Sequence, residues 1–222
     1  MSPRDAIFSR LRLRLDKGDG EARRTVVAQR LGRPKANLIP ARGEGDIEHR
    51  IAVFTLYMEA VGGSVEVLDD SNDIPAAVAR HLRDNNLPAQ IRRGSDPMLA
   101  KLPWHRAGTL EVSEGPARDA DTASISHAFA GAAESGTVIL VSGSDNPTTL
   151  NFLPDTHIVV LEAKDLHASY EEAWKRLRHV YGPGRMPRTV NMISGPSRTA
   201  DIEQTIVRPA HGPKNMHVII VR

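Results

Sequence analysis

A chain of 222 residues with 40% apolar and 25% charged side chains is long enough for one domain with a substantial core. Its 29 basic and 27 acidic residues leave a net charge of +2, and no recognised nucleic-acid module accompanies them, so a nucleic-acid partner is not expected. There is no cysteine, which excludes disulfides, a thiol nucleophile and thiolate ligation of an ordinary iron–sulfur cluster within this chain.

Phe8, Leu11 and Leu15 are spaced three and four apart and predict a short amphipathic helix over residues 1–15. Residues 16–45 are rich in Gly, Arg and Pro without a sustained period, and read as an irregular arm preceding a globular body over 46–222. In that body Ile47, Ile51, Phe54, Met58 and Val61 follow a helical period that Gly62-Gly63 ends, and residues 64–68 alternate as a strand. A helix is expected near Pro75 with Val78 and Leu82 inward, a strand near 89–92, a helical turn over 96–102 and a strand at 110–112. The small residues of 121–134 predict a further helix. Residues 137–141, Thr-Val-Ile-Leu-Val, are the clearest buried strand, and 142–149 form a polar exit loop. A strand at 157–161, a helix over 170–181 and a terminal strand at 216–221 complete the pattern. Apolar strands alternating with helices imply an open α/β sheet, mostly parallel, with helices on both faces. No apolar stretch reaches the length of a signal-peptide core or a membrane span, and the expected location is the cytoplasm.

The chemistry-bearing residues gather in three loops: 134–137, 142–149 and 195–203. In the last, an apolar run ending at Ile193 breaks at Ser194-Gly195-Pro196 and is followed by Ser197, Arg198, Thr199, Asp201 and Glu203. Two readings fit. The cluster holds a polar ligand at the edge of the sheet, or Ser197 or Thr199 caps a following helix with Asp201 and Glu203 near its positive end. The histidines lack a zinc-binding spacing; His211 is expected to orient a turn, and His157 and His217 to be satisfied core residues. The Gly-x-Ser-x-Gly, Gly-x-Gly-x-x-Gly and Walker A patterns are missing.

The stretch 195–205, GPSRTADIEQT, with His211-Gly212-Pro213 and the terminal strand, resembles the signature of the LUD (lactate utilisation) domain family. LPWHRAG at 102–108, AESGT at 133–137 and NPTTLNFLPDTHIVV at 146–160 extend the resemblance, within that family, to the lactate utilisation protein C (LutC) group. Ser135 stands where the family more often has threonine, which keeps the hydroxyl. The resemblance implies a fold of the NagB/RpiA/CoA-transferase-like kind. It also implies a component of a system oxidising L-lactate to pyruvate, with LutA-like and LutB-like iron–sulfur proteins as partners. Clusters would then reside in those partners, with no cofactor in this chain. By the same likeness, Ser135, Gly136, Thr137, Gly195, Ser197, Arg198, Thr199, Asp201, Glu203 and His211 would border a site for a small anionic metabolite, with Glu134 as its acid–base candidate. A second reading is a stand-alone transferase, isomerase or ligase-like enzyme acting on a CoA, phosphosugar or folate-like substrate.

Overall fold

The structure is a computed structural model and describes residues 2–15, 20–32, 34–36, 38–200, 206–207 and 211–222. Two helices come first, α1 (Pro3–Leu15) and α2 (Gly20–Gly32), and neither buries a residue. The arm expected to be irregular after residue 15 therefore contains a second helix. Arg, Ala, Gln and Leu between its glycines are good helix formers, which the surrounding Gly and Pro obscured.

The body begins with α3 (Ile47–Ala60), whose N-cap Asp46 accepts a hydrogen bond from His49 N–H at 2.8 Å. Ile51, Phe54 and Met58 turn inward as their period predicts, whereas Ile47 stays exposed. There follow β1 (Ser64–Leu68), α4 (Ile74–Asp84), β2 (Gln90–Arg93), α5 (Pro97–Lys101), β3 (Glu111–Glu114), β4 (Ala123–His127), β5 (Ala130–Ala132), β6 (Thr137–Val141), α6 (Thr149–Phe152), β7 (Thr156–Glu162), β8 (Leu166–His167), α7 (Tyr170–Tyr181), β9 (Val190–Ile193), β10 (Thr199–Ala200), β11 (Ile206–Val207) and β12 (Asn215–Val221).

Six of these strands form an all-parallel sheet in the order β1-β12-β7-β4-β2-β3. Its central strands are apolar on both faces because both faces are covered. Along β7, Val159 and Leu161 join α3, β6 and alternate residues of β12 in one core. Ile158 and Val160 join α4, α5 and Ile219 and Val221 of β12 in another. Each fully buried aliphatic side chain here contributes about 1.5–3 kcal/mol relative to exposure.

Two further expectations are corrected. Residues 121–134 hold β4 and β5 in place of a helix; their small side chains suit strands lying between close-packed layers. The buried run β6 does not enter the main sheet. It pairs antiparallel with β5 and with β9, and a second sheet results, ordered β8-β5-β6-β9. One face of that sheet packs on the main core through Val138 and Leu140. The other meets α7 through Ile139 and Ala173.

Candidate functional site

Where β9 ends, the chain turns at Gly195, which adopts φ +111° against Val61; a side chain there would be strained and would strike Val61. Ser197 stitches this turn to the segment before β12. Its N–H donates to Pro213 O at 2.8 Å, and its Oγ accepts from His211 N–H at 3.1 Å. His211 reaches the turn through its backbone N–H, a contact any residue could make, and its ring makes no hydrogen bond among the described residues. Between the two segments and the main sheet lies a cavity of about 380 Å³ lined by Gly195, Ser197, Arg198 and His211, with Asn151 and His157 also on its wall.

The expected helix after the turn is absent at its start. Thr199 and Ala200 form β10, paired antiparallel with β11 in the register Thr199 to Val207. Asp201 and Glu203 lie outside the described residues.

The other predicted loop meets the first through hydroxyls. Thr137, fully buried, has its Oγ1 2.6 Å from Ser194 Oγ, 2.6 Å from Tyr170 Oη and 2.8 Å from Ser135 Oγ. A hydroxyl has one donor and two acceptor directions, so these three neighbours saturate it. Gly136 takes φ +60°, and a Cβ there would lie 2.6 Å from Met58 N on α3, so its glycine is needed for packing. Glu134 is 4% exposed and accepts at Oε1 from Tyr170 N–H, 2.9 Å away, at the start of α7. With Ser169 accepting from Glu172 N–H, it satisfies otherwise orphaned donors and sets a carboxylate at the helix's positive end. Glu134, Ser135, Gly136 and Thr137 thus buttress the cavity loop without lining the cavity themselves.

The inner wall was not legible in the sequence. His157, 1% exposed, has Nε2 3.0 Å from Ser126 Oγ, and Ser126 donates to Asn151 Oδ1 at 3.2 Å. With the serine proton committed to Asn151, His157 must be the donor to Ser126, which leaves Nδ1 as an acceptor. Burial pushes the His157 imidazole down to about 3, so it is neutral at pH 7. His157 Nδ1 and Asn151 Nδ2 are both buried without a hydrogen-bond partner among the described residues. One acceptor and one donor, both uncharged and without a partner among the described residues, are thus buried just behind the cavity wall. Among the described residues lining the cavity none is acidic, and Arg198 is its one permanent charge.

The loop at 142–149 borders a different crevice, at the carboxyl ends of β4 and β7. The Gly195 cavity lies beyond the carboxyl end of β9 but beside the opening residues of β7 and β12. The separation follows from β6 and β9 belonging to the second sheet. No helix among the described residues is long and apolar enough to cross a membrane.

The model of the LUD domain matches residues 51–221. Lactate utilization protein C of Shouchella clausii is 39% identical over 89 residues, which is 40% of this chain and 39% of that protein. Its counterpart in Geobacillus sp. WCH70 is 37% identical over 90 residues, 40% of this chain and 37% of that protein. An uncharacterized protein of Neisseria meningitidis, NMB1437, is 33% identical over 99 residues, covering 45% and 42% of the two chains. The matches thus span well under half the length of these curated relatives. A crystal structure of a DUF162 family protein from Deinococcus radiodurans shares the fold, with TM-score 0.62 and 20% identity over 81% of this chain and all of that one. The family model covers most of the body, from within α3 to the end of β12, and the chain belongs to the LUD domain family.

Proposed function

We propose that this protein is a LutC-like cytoplasmic component of a system that oxidises L-lactate to pyruvate, and that its Gly195 cavity binds a small hydroxy acid. The observation that carries the second part is the cavity's chemistry: the Arg198 guanidinium and the Ser197 hydroxyl on the wall, with a neutral donor and a neutral acceptor of Asn151 and His157 buried just behind it. A carboxylate suits Arg198, and a neighbouring hydroxyl suits Asn151 Nδ2 and His157 Nδ1. The names of the curated relatives support the lactate assignment.

Without cysteine the chain has no thiolates for a cluster, so in this reading electrons pass to LutA-like and LutB-like iron–sulfur partners. The helical arm suits assembly. Ile7, Leu13, Leu15, Val27 and Leu31 are all more than half exposed, an apolar surface that contact with a partner would cover. Glu134 capping α7, away from the cavity lining, favours this reading over an independent transferase or isomerase with Glu134 as its base.

Deletion of the gene is expected to abolish growth on L-lactate and leave growth on pyruvate normal, with recovery on complementation. Undiminished lactate growth in a clean deletion lacking a duplicate gene would refute the assignment. Purified alone, the protein is expected to retain no stoichiometric iron and sulfide and to reduce no artificial acceptor with lactate. A cluster held by the monomer would contradict the division of labour.

A further inference from the structure

The main sheet changes direction between two of its neighbours. β2 leads through α5 to β3 at the sheet edge, whereas β4 leads through the second sheet to β7 on the opposite side. Adjacent strands whose connections diverge leave a crevice beyond their carboxyl ends, the place where open α/β sheets bind ligands. Here that crevice has a volume of about 400 Å³.

Its wall is built. Asp96, which caps α5 after β2, faces His127 at the end of β4, with Asp96 Oδ2 3.2 Å from His127 Nδ1. Glu162, the last residue of β7, has Oε2 3.5 Å from His127 Nε2, which makes no hydrogen bond among the described residues. A side chain on Gly94 would run into the Asp145 carbonyl, and Ser95 Oγ donates to Ser144 O at 3.0 Å; these two residues let the 142–146 loop close over the crevice. From that loop Asn146, 7% exposed, lines the crevice, its Oδ1 buried and without a partner among the described residues. Phe129 and Tyr181 add an aromatic side.

The charges differ from those of the Gly195 cavity. Four carboxylates, Asp96, Asp145, Glu162 and Asp165, face two fixed cations and one imidazole. Arg176 is committed to Asp165 and lies over the Phe129 ring. Lys164 pairs with Glu162 at 2.8 Å, but its side chain is 70% exposed, and so open a pair is readily exchanged for a better partner. Unmet capacity is thus mostly acceptor capacity in a negative field, which repels a small carboxylate and attracts an N–H donor bearing positive charge.

We propose that this crevice is a second small-molecule site, and that it takes a cationic amine held by Glu162, Asp96 and Asn146. His127 is the proton-carrying group beside it. Burial opposes its charge, but the Asp96 hydrogen bond and the Asp96, Glu162 and Asp165 carboxylates outweigh burial and raise its pKa, with Lys164 and Arg176 the cations nearby. A bound ammonium competes for the same carboxylates, so it moves His127 back toward lower pKa and releases a proton.

The test uses the full chain with ¹⁵N-labelled histidine and three probes: putrescine, ribose and L-lactate. Putrescine is expected to bind saturably, to shift the His127 ring titration to lower pH by half a unit or more, and to bind at least tenfold more weakly to Glu162→Gln. Asp96→Asn keeps the helix cap and should also weaken putrescine, which separates ligand binding from folding. Arg198→Ala should leave putrescine affinity unchanged, so failure here is distinct from failure of the hydroxy-acid site. No saturable putrescine binding, equal affinity for ribose, or undiminished affinity in folded Glu162→Gln overturns the proposal.

Discussion

Taking the protein from pH 6.5 to pH 4.5 should remove about 5 kcal/mol of folding stability, most of it through two buried histidines. His157 and His217 are both held near 3 in the folded protein. For His157 burial is the cause. For His217 burial leads, aided by the stacked ring of His81 at 4.1 Å and by Arg80. Glu66 comes within 3.7 Å of His217 Nε2, yet Arg80 binds Glu66 and largely spends its charge. A histidine with a depressed pKa contributes no pH dependence above its unfolded value of 6.5. Below it the unfolded chain takes up a proton that the folded chain refuses, and stability falls by about 1.4 kcal/mol per pH unit per histidine. The window stops at pH 4.5 because Asp96 and Asp121, held below the usual carboxylate value of 3.8, begin to lose their own contributions only below that value. For Asp96 burial acts against the shift and the His127 hydrogen bond prevails; for Asp121 the Arg92 bond at 2.5 Å does so. His127 works in reverse: its stabilisation is complete below pH 6.5 and is lost as pH rises through its elevated folded value. Urea denaturation at pH 6.5, 5.5 and 4.5 measures the slope. His157→Asn or His217→Asn should each flatten it by about half, and an unchanged slope in both variants would refute the account.

Replacing Arg198 with alanine should lower affinity for a small carboxylate, such as L-lactate, tenfold or more with little change in melting temperature. A charged hydrogen bond contributes roughly 1.5–3 kcal/mol, which corresponds to about a tenfold to hundredfold change. Arg198→Lys should fall between alanine and wild type, since a planar fork becomes a point charge. Calorimetric titration with L-lactate beside thermal melts of all three proteins decides the matter. Lost stability with intact affinity would mean that Arg198 serves an internal ion pair. Removing the Asn151 amide by Asn151→Leu should weaken L-lactate more than acetate, because acetate lacks the hydroxyl.

The elements read correctly from sequence are those with a strong local signal. Ile51, Phe54 and Met58 on α3, the Pro75 entry to α4 and the amphipathic run of α7 are periodic over several turns. The β6 run was legible as a strand but not as a member of a second sheet: its neighbour β5 was read as part of a helix, which hid the local hairpin, and its other partner, β9, lies about 50 residues away and leaves no local mark. Ala123–His127 failed differently. Ala-Ser-Ile-Ser-His has the small side chains of a packed helix, and only its place between β2 and β7 makes it a strand. The Gly195 turn with Ser197, Arg198 and His211 was visible because glycine, proline and charge punctuate the chain there. His157, Asn151, Asp96 and Glu162 were not, since each reads alone as an ordinary core or surface residue until the sheet assembles them.

That assembly has a consequence for how the chain is made. Among the described residues the first strand of the main sheet, β1, has a single neighbour in it, β12, and Ser64 lies opposite His217 across 153 residues. During synthesis at about 5–20 residues per second, β1 must wait several seconds to tens of seconds for its partner to emerge. Through that interval an apolar strand edge stands open, and contacts so distant in sequence make folding slow. β12 also separates β1 from β7, so its arrival closes the sheet on both sides at once. Ribosome-bound chains ending before residue 215 are accordingly expected to be protease-sensitive and to recruit chaperones, and protection should appear abruptly once the last strand has left the exit tunnel.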